Sequence, residues 1–349
     1  MSVTPCACGI DIHAHVVPDH FPAYLGQTAP NPWPSTMAAP DANGLCHRHV
    51  MVNGKNYRTV SEKCWSVPHR IADLPAMGIA KQVVSPMPEL LSYWLSLTDA
   101  QPLIRFLNEY TADLCTRSDG HLLGLAAVPL QDVDAAVAEL HYAINNLGLA
   151  GVEIGSNING VAIGDSRFDP FFAACVELDV PVFVHAIKPA GMERLVGPAP
   201  LQQVLAYPTD VGLAAASVIT GGLLLRLPKL RIAFSHGGGT LALLLPRLQQ
   251  GWKVFPVLTE GIAESPQDQA RKMFFDTLVF DPDTLKHLVR AFGEHALMLG
   301  TDYPFNFHER RPVDRLSEAG FDAPTRDALA FGNARRFLGQ VIETKKETH

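Results

Sequence analysis

The amino-acid sequence predicts an α/β protein whose core is a TIM-like (β/α)8 barrel with a long insertion after strand 1. Eight short apolar segments of strand length follow one another, and stretches with helical character separate them. The segments are nearly continuous in hydrophobicity, which is typical of parallel strands buried on both faces. A chain of 349 residues is long enough for one such barrel. A doubly wound open sheet is the alternative.

The first predicted strand is "GIDIHAHVV", at residues 9–17. The other seven lie, in chain order, at residues 79–86, 122–130, 149–155, 180–186, 230–238, 272–279 and 296–304. Between the third and fourth strands, "DVDAAVAELHYAINNLG" places its apolar residues on one helical face and ends on Gly148, the residue type expected after a helix. We find no internal repeat and no linker, so residues 1–349 are expected to form a single domain.

One connection is far longer than the others. About 60 residues, rich in Pro, Gly, Trp and His, separate the first two predicted strands, whereas such loops usually have about 2–6 residues. Loops that follow barrel strands surround the mouth of the barrel. We therefore predict that residues 16–70 form a lid or small subdomain over that mouth.

Composition excludes several classes of protein. Apolar residues make up 47% and charged residues 18%, as in a soluble globular protein. The net charge of −7, without clustered Lys and Arg, argues against a nucleic-acid-binding surface. No apolar stretch reaches the roughly 20 residues of a membrane span, and the first residues lack a secretory signal pattern. We expect a cytoplasmic protein. No predicted strand is followed by a glycine-rich phosphate loop, so we expect no nucleotide cofactor.

The first strand carries two histidines at alternate positions, His13 and His15. Side chains two residues apart on a strand point to the same face, so the two imidazoles are expected to lie together. Packing gives no reason for them, because Val or Leu would fill a strand face without leaving ring nitrogens to satisfy. Metal ligation is therefore the favoured interpretation over two incidental core histidines.

Other unusual polar residues also fall at the ends of predicted strands. His185 ends the fifth strand, His236 the sixth and Asp302 the eighth. The C-terminal ends of barrel strands meet at one face, which is where the active sites of such barrels lie. We therefore expect these three residues to lie beside His13 and His15.

Three imidazoles and one carboxylate form a ligand set that suits Zn²⁺, with Mn²⁺, Fe²⁺ or Co²⁺ as alternatives. The predicted ligands are His13, His15, His185 and Asp302. His236 then stays free as a general acid or base, and Asp302 is a second candidate for proton transfer. A metal in such a site lowers the pKa of a bound water molecule enough to form hydroxide near neutral pH.

With these residues in place, the sequence resembles the amidohydrolase superfamily, in its amidohydrolase 2 branch. The matching segments, "IDIHAHVVP", "VFVHA", "FSHGGG", "LGTDYPF" and "GNARRFL", span residues 9–338. Within that branch the chain is similar to the 2-amino-3-carboxymuconate-6-semialdehyde decarboxylase group. That similarity rests on "NGKNYR" in the insertion, "VPLQD" after the third strand and "HGGGTLALLLPRLQQGW" after the sixth.

The resemblance implies a zinc site with the four ligands given above and a water-activating role for His236. It also implies that Arg58 binds a carboxylate of the substrate and that Arg247 is offered to the active site of a neighbouring subunit. The expected working unit is therefore a homodimer. Arginine suits both roles, because a guanidinium holds a carboxylate through two parallel hydrogen bonds.

The sequence departs from that group after the fifth-strand histidine. The group tends to have an aromatic residue there, whereas this chain reads "HAIKPAGMERL". Ile187 and Lys188 would change the pocket wall and add a cation. The exact substrate, and whether Lys188 or Arg194 contacts a second acidic group, therefore stay open.

The leading functional prediction is a metal-dependent, non-oxidative decarboxylase, a carbon–carbon lyase, that acts on a small unsaturated or aromatic carboxylic acid in aromatic catabolism. The alternative is a metal-dependent hydrolase or hydratase that acts on an amide, a lactone or an enol-acid. A metal-binding scaffold without turnover is a third interpretation. The complete ligand set and the additional histidine argue against that third one.

Overall fold

The computed structural model of the protein describes residues 8–26, 33–52 and 54–339. Eight parallel strands in this part form one sheet, and each pairs with the next barrel strand along the chain. The first and last strands also meet, because the Ile12 amide donates to the Leu299 carbonyl (2.9 Å) and the His15 amide to the Tyr303 carbonyl (2.8 Å). The sheet therefore closes, and the predicted (β/α)8 barrel of the α/β class is confirmed.

The elements have the following bounds. The strands are β1 (Gly9–Val16), β2 (Ser35–Ala42), β3 (Leu45–Val52), β4 (Lys55–Ser61), β5 (Ile79–Pro86), β6 (Leu122–Ala126), β7 (Gly151–Gly155), β8 (Asn157–Ile158), β9 (Val161–Ala162), β10 (Val182–His185), β11 (Ile232–Phe234), β12 (Phe274–Asp276) and β13 (Leu297–Met298). The α-helices are α1 (Val67–Asp73), α2 (Leu97–Thr116), α3 (Val133–Asn145), α4 (Asp169–Glu177), α5 (Tyr207–Thr220), α6 (Leu223–Arg226), α7 (Leu241–Val254), α8 (Pro256–Gly261), α9 (Pro266–Ala270), α10 (Pro282–Phe292), α11 (Pro312–Glu318), α12 (Ala323–Asp327) and α13 (Asn333–Leu338). The barrel order is β1-β5-β6-β7-β10-β11-β12-β13. None of these described helices has the length and apolar character needed to cross a membrane.

All eight predicted barrel strands are present, but several end earlier than predicted. The third, predicted at 122–130, ends at Ala126, and the eighth, predicted at 296–304, ends at Met298. The chain beyond a strand end stays buried without pairing, as at Val128, which has no exposed surface. A buried loop therefore reads like a strand in hydrophobicity, and this explains the difference.

The barrel strands bury both of their faces. On β10, Phe183 packs in a cluster inside the barrel, whereas Val182 and Val184 pack in the larger cluster between strands and helices. The inner cluster includes Ile10, Ile12, Val83, Leu123, Leu125, Phe183, Ala233 and Met298. This double burial is the physical reason for the continuous apolar segments in the sequence.

Strand β1 contains a register shift between Asp11 and Ala14. As a result, two consecutive side chains contact the barrel interior: Ile12 belongs to the inner cluster with Phe183, and the His13 ring lies 5.0 Å from the Phe183 ring. An irregularity of this kind re-aims side chains at a strand end. It separates Asp11 from the face on which the histidines lie.

The predicted insertion contains a three-stranded antiparallel sheet in the order β2-β3-β4. Val50 and Val60 are buried and join the main core, so this sheet packs on the barrel. Helix α1 begins inside the range 16–70, and residues 27–32 and 53 of that range lie outside the described residues. The role of this segment as a lid stays a prediction.

Asp11 holds the first and last barrel strands together. Its buried carboxylate accepts hydrogen bonds from the Thr301 amide (3.1 Å), the Thr301 hydroxyl (2.6 Å), the Gln82 side-chain amide (2.8 Å) and the His13 amide (3.1 Å). Buried Arg70 donates to the Gln82 oxygen (2.5 Å). Burial raises the pKa of Asp11 and these hydrogen bonds lower it. Burial has the larger effect, and the resulting pKa is about 6. This one carboxylate therefore accepts hydrogen bonds from β1, from the neighbouring strand β5 and from the segment that follows β13.

We predict that Asp11→Ala destabilises the fold strongly, because it leaves the buried donors of Thr301 and Gln82 without an acceptor. The expected loss in the free energy of unfolding is about 3–5 kcal/mol. Urea unfolding of metal-free protein near neutral pH measures it without a contribution from metal loss. Asp134→Ala, an exposed site, is the control and should change stability by less than about 0.5 kcal/mol. Equal stabilities for the two variants would contradict the prediction.

Candidate metal centre

Three histidines and one aspartate converge at the C-terminal end of the barrel. His13 and His15 lie on β1, His185 is the last residue of β10, and Asp302 follows β13. One ligand atom from each residue lies within 4.8 Å of those of the other three. The three histidines are buried. The structure thus brings together the four residues that the sequence predicts as ligands.

Hydrogen bonds fix the ring nitrogen that carries the proton in two of these histidines. His13 Nδ1 lies 2.7 Å from Asp276 Oδ2, and His185 Nδ1 lies 2.9 Å from the carbonyl oxygen of Ala186. Each acceptor requires a proton on Nδ1, so Nε2 of a neutral ring keeps its lone pair. Burial also lowers the pKa of His185 well below its ordinary value, which keeps that ring neutral. Both rings are therefore set to bind a cation through Nε2.

The candidate ligand atoms of the cluster face one another. The Nε2 atoms of His13 and His15 are 3.2 Å apart, and His15 Nε2 lies 3.1 Å from Asp302 Oδ1. Among the residues that the structure describes, buried His185 Nε2 has no hydrogen-bond partner. Buried polar atoms without partners are costly, and a cation bound between them would satisfy all four. Imidazole nitrogen with one carboxylate suits Zn²⁺ and Mn²⁺, so the residues present fit a divalent metal.

Asp302 supplies the negative charge of the cluster. Burial opposes its ionisation, yet the hydrogen bond and the charge of His15 lower the pKa of Asp302 to about 2. Its backbone has a φ of 63°, in the left-handed region that a non-glycine residue rarely adopts. Such strained backbone is found mainly at functional sites, where surrounding structure holds it in place.

Asp276, the last residue of β12, organises the cluster from behind. Its Oδ2 accepts from His13 Nδ1 and from the His236 amide (2.9 Å), and its Oδ1 accepts from the Gly237 amide (2.7 Å). Burial would raise the pKa of Asp276, but the hydrogen bond and charge of His13 hold it below its ordinary value. A carboxylate that orients a ligating imidazole in this way strengthens metal binding.

His236 lies beside the cluster. Its ring centroid is 5.4 Å from that of His13 and 5.0 Å from that of His185. Burial lowers the pKa of His236 to about 4. Its imidazole is therefore neutral above that pH and able to accept a proton, as a general base requires.

A cavity opens over the cluster and over one residue of the insertion, Arg58. It is lined by His15, Arg58, Pro88, Glu89, His185, Gln203, Tyr207, His236, Leu278, Phe280, Asp302, Phe305 and Phe307. The guanidinium carbon of Arg58 lies 3.9 Å from the centroid of the Phe305 ring. In the described part of the chain, no hydrogen-bond acceptor engages this guanidinium. Its donors are therefore available to an anionic ligand.

Three other basic residues were singled out in the sequence, and none of them lines this cavity in the single copy of the chain that the structure contains. Arg247, on α7, lines an apolar surface groove of about 810 Å³. The ammonium of Lys188 lies 3.6 Å from the Trp94 ring centroid, in a neighbouring cavity of about 410 Å³. Arg194 is exposed. Lys188 and Arg194 therefore lie outside the lining of the cavity over the cluster, and whether either contacts a second acidic group stays open.

Sequence reasoning missed several polar residues of the site. Asp276 and Glu153 each stand in an otherwise apolar barrel segment, "KMFFDTLV" and "LAGVEIG". A charged residue in a buried strand is the same signal that identified His13, so both could have been found. Glu89 and Tyr207 also line the cavity, and no pattern in the sequence points to either.

Glu153 lies below the cluster inside the barrel. It pairs across strands with Phe183, whose ring is 5.0 Å from that of His13. It is fully buried, and neither carboxylate oxygen has a hydrogen-bond partner among the described residues. Burial raises the pKa of Glu153 to about 8, whereas nearby His13 and Ser85 lower it. The group therefore stays protonated near neutral pH.

Comparison with known families identifies a match over almost the whole chain. The amidohydrolase family (Amidohydro_2) matches residues 10–340. The 2-amino-3-carboxymuconate-6-semialdehyde decarboxylase of Dictyostelium discoideum is 33% identical over 337 residues. That alignment covers 95% of this chain and 91% of the relative.

Solved structures share the barrel fold. IDCase from Metarhizium anisopliae, in apo form, gives a TM-score of 0.80 at 20% identity and covers 99% of this chain and 100% of its own. A dihydroxybenzoic acid decarboxylase from Polaromonas sp. JS666, solved with bound manganese and the inhibitor 2-nitroresorcinol, gives a TM-score of 0.69 at 19% identity. It covers 80% of this chain and 88% of its own.

We predict that Asp276→Asn weakens metal binding, because an amide no longer offers His13 Nδ1 a charged acceptor. The expected loss of affinity for Zn²⁺ or Mn²⁺ is roughly 10–100-fold, measured by competition with a chromophoric chelator. Asp281→Asn is the matched control, because Asp281 follows in the next loop, is exposed and caps α10. Unchanged affinity in a folded Asp276→Asn variant would show that this carboxylate does not support the cluster.

We predict that Glu153→Gln stabilises the metal-free protein increasingly as pH rises. The folded-state pKa of about 8 lies above the ordinary glutamate value of 4.5, so as pH rises the unfolded chain loses its proton first. The free energy of unfolding of the wild type therefore decreases as the pH rises from the lower of these pKa values to the higher. A glutamine does not titrate, so the variant does not lose this stability. Thermal unfolding at several pH values should give similar midpoints for both proteins in acid and a higher midpoint for the variant in mild alkali. A difference that does not change with pH would contradict the raised pKa.

Proposed function

Because the chain belongs to the amidohydrolase family, we propose that it is a metal-dependent, non-oxidative decarboxylase of a small unsaturated or aromatic carboxylic acid. The observation that carries the proposal is the buried His/Asp cluster beneath a cavity that also holds the guanidinium of Arg58. The relative with 33% identity is named a decarboxylase, which favours lyase over hydrolase chemistry.

The proposed metal ligands are His13, His15, His185 and Asp302. Zn²⁺ is the expected ion and Mn²⁺ the alternative, since nitrogen-rich ligand sets accept both. When bound, the metal supplies Lewis-acid polarisation of substrate oxygen atoms and a water molecule of lowered pKa. Among the four proposed ligands, Asp302 carries the negative charge, and the guanidinium of Arg58 in the cavity wall supplies a positive charge that attracts an organic anion.

The remaining residues of the cavity account for the rest of the reaction. Arg58 binds a carboxylate of the acid through its free donors. Decarboxylation breaks the bond between carbon and the departing carboxylate, leaves the electron pair on carbon and ends with a proton on that carbon. His236, neutral at physiological pH, accepts a proton from water and delivers it to that carbon, while the hydroxide left from the water combines with the departing CO₂ to give bicarbonate. Asp302 is the second candidate for this transfer.

Residues 16–70 act, in this proposal, as a lid. The described cavity has a volume of about 20 Å³, room for roughly one water molecule. A substrate ring enters only when lining side chains move apart. Arg58 places β4 of the insertion in the cavity wall, so movement of the insertion is the direct way to open the site.

We also propose a homodimer in which each chain offers Arg247 to its partner. Arg247 lies in the apolar groove formed by α5, α7 and α8. Large apolar side chains that line it are exposed: Leu213 by 54%, Val254 by 57% and Phe255 by 56%. An apolar surface of this extent is typical of a protein interface. A second copy of the chain would cover it.

A cytoplasmic location is part of the proposal. Cys64 and Cys175 are buried free thiols, as expected in a reducing compartment. A small carboxylic acid is the proposed partner of the site.

The proposal is tested with the metal-loaded protein and a panel of ¹³C-carboxyl-labelled muconate, salicylate-type and pyridine carboxylic acids in H₂¹⁸O. Release of ¹³CO₂ with a product that has lost the carboxylate and gained hydrogen is the expected result. A product that keeps its labelled carboxylate and contains ¹⁸O would instead identify a hydrolase or hydratase and overturn the proposal.

We predict that Arg58→Ala and Arg247→Ala each reduce kcat/KM by at least about 30-fold, because each removes a charged partner of the substrate. Co-expression of the two variants should restore activity, since one site of each hybrid dimer keeps both arginines. Random assembly gives about a quarter of wild-type activity. Each variant carries a different affinity tag, so hybrid dimers can be purified and their kcat/KM measured. Activity in these hybrids is the evidence that Arg247 acts in the site of the partner subunit. Hybrid dimers without activity would contradict sharing of Arg247 between subunits.

A further inference from the structure

Glu89 lies in the cavity wall, in the segment that follows β5, and the proposed reaction does not use it. It lines the same cavity as His236, Asp302 and Arg58. The cavity therefore presents a carboxylate as well as a guanidinium to whatever binds over the metal cluster. A carboxylate so close to a site for acids is unexpected, since it repels them unless it has a specific partner.

Two tyrosines from different parts of the fold hold one oxygen of Glu89. The Tyr57 hydroxyl, on β4 of the insertion, donates to Glu89 Oε1, and the Tyr207 hydroxyl, at the start of α5, donates to the same atom (2.7 Å). Gln202 Nε2 in turn donates to the Tyr207 hydroxyl (3.2 Å). Burial raises the pKa of both tyrosines above the ordinary value, so both hydroxyls stay donors. The carboxylate is thus fixed in position from two sides.

The second oxygen of Glu89 has no hydrogen-bond partner in the described part of the chain. Oε2 is buried, and none of the residues that the structure describes donates a hydrogen bond to it. Arg58 has the opposite charge and follows Tyr57 directly in the chain, yet no hydrogen bond joins it to Glu89. A buried carboxylate oxygen without a donor is costly, and in a cavity wall it is an unused acceptor of fixed position. The ligand of the cavity is the natural source of the missing donor.

We propose that Glu89 Oε2 is a specificity-determining acceptor that binds a hydroxyl or amino group on the acid whose carboxylate Arg58 binds. This inference rests on the proposed function, since it takes the ligand of the cavity to be a carboxylic acid. The preferred substrate class is therefore an unsaturated or aromatic acid that carries an O–H or N–H donor. An acid without the donor leaves Oε2 unsatisfied, and an acid with a second carboxylate at that position meets a like charge.

The test compares binding of 2-hydroxybenzoate, 2-aminobenzoate and benzoate to the metal-loaded protein by isothermal titration calorimetry. Wild type should bind the two donor-bearing acids more tightly than benzoate. In Glu89→Gln their affinity should fall by roughly 10–100-fold, while the affinity for benzoate stays within about threefold. Glu109→Gln is the matched control, because exposed Glu109 also accepts from a tyrosine, Tyr142 (3.2 Å), and it should keep the wild-type preference.

A second variant separates recognition of the ligand from a purely structural role. Tyr57→Phe combined with Tyr207→Phe removes both donors to Oε1 but keeps the Glu89 carboxylate. It should keep the preference for the donor-bearing acids within about threefold. If Glu89 merely fastened the insertion to α5, this double variant would lower the affinity for all three acids alike and Glu89→Gln would show no selective loss. That pattern would overturn the inference.

Failure of the inference and failure of the proposed function are distinguishable by measuring ¹³CO₂ release beside binding. Release of ¹³CO₂ from acids of the labelled panel, together with equal preferences in wild type and Glu89→Gln, would overturn the role of Glu89 and leave the decarboxylase proposal intact. A selective binding loss in Glu89→Gln without ¹³CO₂ from any labelled acid would support the acceptor role and overturn decarboxylation.

Discussion

The site depends on one constraint: the Nε2 atoms of three buried imidazoles face one another and the Asp302 carboxylate in a small space. His13 Nε2 and His15 Nε2 are 3.2 Å apart, and His185 Nε2 has no partner among the described residues. The rings do not turn away, because Asp276 and the Ala186 carbonyl hold the opposite nitrogens of His13 and His185. Atoms held in this arrangement fit a divalent cation, which the proposed function places between them.

The barrel supplies the rigidity that this constraint needs. The register shift in β1 aims His13 inward directly after Ile12 and leaves Asp11 on the seam, where it accepts four hydrogen bonds and closes the barrel. Asp276 links β12 to the turn that carries His236. The proposed ligands, the candidate base and the barrel seam are thus parts of one hydrogen-bonded unit, so a change in any of them is expected to affect both stability and metal binding.

The sequence predicts the barrel strands and the candidate metal ligands because each of them leaves a pattern that can be recognised along the chain. A segment apolar on both faces indicates a buried parallel strand, and an imidazole such as His185 at its end has no packing role. Strand ends were less predictable, since a buried loop is as apolar as a strand. Glu89 and Tyr207 were not predictable, because their significance lies in a contact between distant segments (2.7 Å) that no local pattern encodes.

The central claim is that the cluster holds a divalent metal on which decarboxylation depends. The most direct measurement is a titration of chelator-treated, metal-free protein with Zn²⁺ or Mn²⁺, following bound metal and ¹³CO₂ release from a labelled acid together. The account predicts no release without metal and a linear increase that ends at about one ion per chain. Release from metal-free protein, or full binding of metal without any release from the panel of acids, would contradict it.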